Sequence, residues 1–168
     1  SIKKSTVSVN VRLLVLQAFP KLTNSRDGIY WECIALRNQE GEFKKALNLM
    51  EKRQFNPWEG GEGKVPFQYI SLQIEMAKKL IAEEEYQSAI EHLGAAQDYP
   101  HNLGEGKLFG AQENDIFYWL GCAYDGLNNH LLAKQNWEKA AGGPSDPSPA
   151  IFYNDQQPDK IFYQGLAL

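Results

Sequence analysis

The sequence predicts an all-α fold of antiparallel helix pairs, on three observations. Apolar residues recur at helical spacing along most of the 168 residues. Strand signals are confined to the alternation of Val7, Val9 and Val11. A pattern of Ala, Gly and Pro returns at intervals of 43 or 44 residues. Composition agrees: 43% hydrophobic, 12% aromatic and 23% charged residues describe a folded globular chain and not a disordered one. One domain over residues 1–168 is expected at this length.

The elements follow in order. Val11, Leu14, Val15 and Ala18 sit at i, i+3, i+4 and i+7 and predict a first helix, which Pro20 should stop. Helix pairs are then expected at about 26–39 and 42–53, 66–83 and 85–98, and 114–127 and 129–141. A last helix opens near Pro158, since proline suits a first helical turn.

The repeat is clearest from Ile116 to Ala141. Phe117, Leu120, Gly121 and Tyr124 give aromatic-x2-Leu-Gly-x2-Tyr, and Ala133, Trp137 and Ala140 follow at the next signature offsets. This segment resembles a tetratricopeptide repeat, with Phe117 and Trp137 exchanging the usual Trp and Phe. Weaker copies carry Ala46, Met50 and Pro57, then Ala89, Leu93, Ala96 and Pro100. Repeats are therefore placed at about 26–65, 66–113 and 114–157, with a partial one at 158–168. The resemblance implies a right-handed superhelix, and a period about ten residues above the usual 34 implies long loops between repeats. An incomplete last repeat would leave Ile161, Phe162, Leu166 and Leu168 without a partner helix. The chain, which begins at Ser1, is thus expected to be a fragment of a larger protein, frayed or covered at its C-terminal end.

Charge and cysteine usage exclude several classes. Seventeen Lys and Arg against 21 Asp and Glu leave a net charge of −4 and no concentrated basic face, so no nucleic-acid partner is expected. No apolar run reaches membrane-spanning length, so no membrane partner is expected either. Cys33 and Cys122 form no CxxC pair and read as small buried apolar residues, which suits a reducing, cytoplasmic setting.

Two loops share a Gly-Glu-Gly-Lys segment, at 61–64 and 104–107. A phosphate-binding P-loop would need glycine five positions before Gly63 and Gly106, where Trp58 and His101 stand, and Ser or Thr after the lysine, where Val65 and Leu108 stand. The segments read instead as glycine turns leading into the next helix. The third loop, Pro144 to Pro158, holds Ile151-Phe152-Tyr153-Asn154-Asp155 and is expected to pack back onto the helices. His92, His101 and His130 lack metal-ligand spacing, and no cofactor is implied. Glu59, Glu62, Glu105, Glu113 and Asp115 could supply acid–base pairs, but solvated loop charge is the plainer reading, and no catalytic residue is assigned.

Binding candidates come from register. In the family resembled, the first helix of each pair lines a concave groove. The positions that would face it are Trp31, Ile74, Tyr118 and Phe162, then Glu32, Glu75, Trp119 and Tyr163, with Lys78 nearby. Rigid rings supply contact area, although packing against the long loops would use them equally well. Loop candidates are Trp58, Glu59, Glu62, Lys64, Asn102, Glu105, Lys107, Asn114, Asp115, Asn154 and Asp155. Grooves that clamp acidic chaperone tails need Lys, Arg and Asn, and only Lys78 and Asn38 qualify, so an apolar or basic peptide fits better.

Longer segments sharpen the resemblance. Phe55 to Gly63, Tyr99 to Lys107, Gln112 to Ile116 and Tyr153 to Gly165 are similar to a bacterial family of helical arrays. In that family the array follows a β-sandwich domain of unassigned function that resembles the aldose mutarotases. The implied role is a non-catalytic scaffold that binds a peptide or a protein domain, its own upstream domain included. The alternative it implies is a helical arm that touches carbohydrate.

Overall fold

The computed structural model describes residues 7–146 and 157–168, and among these residues the fold is all-helical, with no strand. The helices are α1 (Val9–Ala18), α2 (Pro20–Ser25), α3 (Asp27–Gln39), α4 (Phe43–Glu51), α5 (Lys64–Ala82), α6 (Tyr86–Gln97), α7 (Asn114–Gly126), α8 (His130–Ala141) and α9 (Pro158–Leu166), with a 3₁₀ turn at His101–Leu103. They fall into two compact units. Unit 1 comprises Ser1–Leu72 and His101–Glu105, and unit 2 comprises Gln73–Pro100 and Gly106–Leu168.

The 43- and 44-residue period is visible in the turns. The residues between α3 and α4, between α5 and α6, and between α7 and α8 each number three. The middle one is left-handed every time: Gly41 at φ +75°, Glu84 at +62° and Asn128 at +58°. The residue after it closes the same hydrogen bond, from Glu42 N to Arg37 O, Glu85 N to Leu80 O and Asn129 N to Tyr124 O, at 2.8–2.9 Å. These bonds satisfy carbonyls that a helix end leaves open, as in a Schellman cap. Four residues past each turn bond stand Ala46, Ala89 and Ala133, all without solvent exposure. Small residues there let two helices of a hairpin approach closely.

In unit 1, α1 packs on α3 and α4 through Leu13, Cys33 and Leu36, with Val9, Leu16 and Leu49 around them. This corrects the face expected for α1: Val11, Leu14 and Val15 are exposed, while Leu13 is buried and Val9 and Leu16 are half-buried beside it. Both sides of the helix are apolar, so periodicity alone could not choose between them. As expected, α1 ends before Pro20, at Ala18, and Pro20 itself then opens α2, as a first-turn proline can. The alternation at Val7–Val11 forms no strand, because α1 begins at Val9 under a Ser8 cap.

A second part of unit 1 is built by loops. Phe55, only 1% exposed, donates its N–H to Asn102 O at 2.8 Å. The Asn102 side chain donates to Met50 O and Arg53 O, both at 3.0 Å, and so closes the end of α4. Gly104 lies at φ +77°, and a Cβ there would stand 2.5 Å from Phe55 O, so only glycine fits. The Trp58 indole lies against Gly28 and Gly61.

Unit 2 is held by ring-on-glycine packing. A Cβ on Gly121 of α7 would stand 2.3 Å from Trp137 Nε1 of α8, and one on Gly126 would stand 2.2 Å from the Tyr86 ring of α6. Leu93, Ala96, Ile116, Ala123 and Ala140 complete a core at or below 1% exposure. Each large aliphatic side chain buried this way contributes about 1.5–3 kcal/mol. α9 is a regular helix rather than frayed, and its Phe162 and Leu166, with Leu168 after it, are exposed.

The two Gly-Glu-Gly-Lys segments diverge. Gly63, at φ +73°, does lead into α5 at Lys64. Lys107 does not open a helix: its ammonium binds Glu113 at 2.5 Å and Gln97 O at 3.2 Å, and α7 starts only at Asn114. A lysine committed to two partners across its own loop holds that loop back from helix.

Candidate functional site

The aromatic residues singled out by register fall into both units. In unit 1, Trp31 of α3 donates its indole N–H to Lys64 O at 3.0 Å, and the Lys64 ammonium lies 5.9 Å from the ring centre. Glu32 is paired with Arg12 of α1. Both side chains are thus engaged within the unit.

Unit 2 gathers the rest. α7 places Tyr118 and Trp119 on successive positions, and α9 brings Phe162 and Tyr163 to them. Ring centres lie 5.2 Å apart for Tyr118–Trp119, 5.5 Å for Tyr118–Tyr163, 6.5 Å for Trp119–Tyr163 and 5.5 Å for Phe162–Tyr163. Most meet edge to face, the arrangement favoured by the ring quadrupole. From α5, the Lys78 ammonium stands 5.4 Å from the Trp119 ring centre and 2.6 Å from Glu75 Oε1. A cation over an indole face is attracted to it.

The polar groups of this cluster form a short chain. Trp119 Nε1 donates to the Tyr163 hydroxyl at 3.2 Å. Burial by itself lowers the Lys78 pKa, but the hydrogen bond to Glu75, reinforced by Tyr163, outweighs it and holds the ammonium above the usual lysine range. A phenol that accepts from Trp119 through its oxygen keeps a proton it can donate. Burial raises the pKa values of Tyr118 and Cys122 above their ordinary ranges, which favours the neutral phenol and the thiol.

The loop candidates are divided between the two units and are engaged there by local partners. Glu62 accepts from Gly60 N at 3.2 Å, Lys64 donates to Gly60 O at 2.6 Å, and Glu59 is exposed. The expectation of solvated loop charge fails for three of the five carboxylates. Glu105 accepts from Gly63 N at 2.8 Å, Glu113 binds Lys107, and Asp115, 6% exposed, pairs with Lys160 of α9. Each ties a loop or helix start to another part of its own unit, so these acids are structural. Asn114 donates from one nitrogen to Ala140 O and Gly142 O, both at 2.7 Å. Asn154 and Asp155 lie outside the described residues, as does most of the third loop. Among the described residues no group of three His, Cys, Asp or Glu could hold a metal ion. No described helix is long and apolar enough to cross a membrane.

Register also missed two clefts in unit 1. One, of about 290 Å³, is lined by Arg37, Lys44, Lys45, Asn48 and Leu49. The other, of about 690 Å³, shares Arg37 and Lys45 and adds Asn10, Leu13, Leu14, Gln17, Glu40 and Glu42. The Lys44-Lys45 pair was the available signal, but α1's contribution depends on how it packs. No family model matches the chain, and no solved structure matches it.

Proposed function

We propose that this chain is a tetratricopeptide-type scaffold without catalytic activity, and that its ligand is a peptide segment of a partner protein or a neighbouring domain. The repeated turn and the small-residue contacts within the hairpins support the repeat class. The observation that carries the binding role is the cluster of Tyr118, Trp119, Phe162 and Tyr163 with Lys78 beside it. Four rings with one exposed member, Phe162, form a recognition surface of the kind that carries hot spots. The hydroxyl of Tyr163 and the ammonium of Lys78 are donors, so the matching ligand presents an apolar side chain next to a main-chain carbonyl.

A displayed peptide library panned on the chain tests this. Enriched peptides should share an aliphatic or aromatic residue. Trp119→Ala should weaken them by about 2 kcal/mol, roughly thirtyfold, while circular dichroism stays unchanged. Equal binding by Trp119→Ala would overturn the site, and binding to glycans instead of peptides would overturn the ligand class.

A further inference from the structure

The helix α1 is apolar on two sides, and Phe19 and Leu22 continue its outer side across the start of α2. The inward residues pack into unit 1, yet Val11, Leu14, Val15, Phe19 and Leu22 are each 48–64% exposed. A helix that is apolar all round belongs between two layers, and an exposed apolar face of this extent marks an interaction site. Its charge defines the occupant. Arg12 is paired with Glu32, but Lys21 and Arg26 are exposed near the apolar residues, and no Asp or Glu falls between residues 7 and 26. The complementary surface is apolar with acidic surroundings.

This chain carries such a surface itself. α9 exposes Phe162 and Leu166 together with Asp159, Leu168 just beyond it is exposed too, and Lys160 is neutralised by Asp115. Unit 2 holds thirteen Asp and Glu against six Lys and Arg, whereas unit 1 holds eight against eleven. Position supports the match too. Tyr118 of α7 is covered by Tyr163 of α9, but Phe162, 44 residues beyond Tyr118, is 61% exposed. We propose that the α1–α2 face of one molecule docks on the α9 face of a second copy, so that molecules associate head to tail. Such a contact is heterologous and propagates into short chains or closes into rings. Opposite charge on the two faces speeds the encounter and makes it salt-dependent.

Analytical ultracentrifugation of the chain, over a concentration series at low and high salt, reads this directly. The average mass should rise above 19.0 kDa with concentration and fall back with salt. Leu14→Glu removes one face and Leu166→Glu the other, so each variant alone should stay monomeric. Mixed, they retain one good face each and should form a 1:1 complex of twice the monomer mass and nothing larger. Val15→Glu with Leu168→Glu gives a second pair at exposed sites on the same two faces should either first variant lose its helical signal. A parent chain that is monomeric throughout would overturn the proposal, as would self-association by either single variant. So would a monomer that binds phosphatidylglycerol vesicles through Leu14, which would assign the face to a lipid surface.

Discussion

Asp27 and Asn114 stand 87 residues apart, two repeat periods, and both open the first helix of a hairpin. They fasten that helix to the exit of the second by opposite chemistry. Asp27 accepts: from Arg53 Nε at 2.6 Å and from Asn56 N at 2.9 Å. Asn114 donates, to Ala140 O and Gly142 O. The partners are themselves in register, since Ala140 lies 87 residues beyond Arg53. Repetition has therefore preserved the job and the place while the polarity of the bond reversed. One consequence is that only the first fastening can titrate. Burial alone would raise the Asp27 pKa, but the Asn56 and Arg53 hydrogen bonds outweigh it and hold the carboxyl below its usual value.

The largest effect is expected from imposing the first chemistry on the second place. Asn114→Asp sets a buried carboxylate against two carbonyl oxygens, and should cost about 3–5 kcal/mol in a urea titration. A change below about 1 kcal/mol would mean that the loop after α8 rearranges freely. Next, Asp27→Asn removes a charge-assisted pair and leaves Arg53 without its carboxylate, for an expected loss of about 2 kcal/mol. Arg53 also lies 4.4 Å over the Tyr30 ring, so part of its packing survives.

The pH dependence separates the two fastenings further. Because the folded Asp27 pKa is depressed, its stabilisation is fully present above the unfolded value of about 3.9 and disappears as pH falls through the folded value. Urea midpoints measured down the acid limb should fall less steeply for Asp27→Asn than for the parent, and an unchanged slope would assign the acid sensitivity elsewhere.

The smallest effect concerns the shared turn. Glu84 holds a left-handed φ that Gly41 holds without strain. Glu84→Gly should therefore stabilise by up to about 1 kcal/mol, readable as a rise of a few degrees in Tm for a chain of this size. A lower Tm would show that unfolded-state entropy outweighs the relief of strain.

Much of the helical plan was legible because its causes are local. Ala46, Ala89 and Ala133 mark hairpin contacts by size alone, and Gly121 announces a close approach before its partner Trp137 is known. The candidate rings Tyr118, Trp119, Phe162 and Tyr163 were likewise found from spacing, since a conserved period puts them on equivalent faces of α7 and α9. The loop acids were misread because Glu105 and Asp115 owe their burial to Gly63 and Lys160, 42 and 45 residues away.

The sequence by itself determined the helices, their turns and the period that relates them, since hydrophobic spacing, small residues and left-handed turn positions act within a few residues. Only the tertiary structure decided which side of α1 is buried, that Trp31 is spent on the Lys64 carbonyl, and that Asn114 donates where Asp27 accepts. Those outcomes depend on which groups meet across long stretches of chain. A side chain's local pattern states what it can bond to, and only its distant neighbours settle what it does bond to.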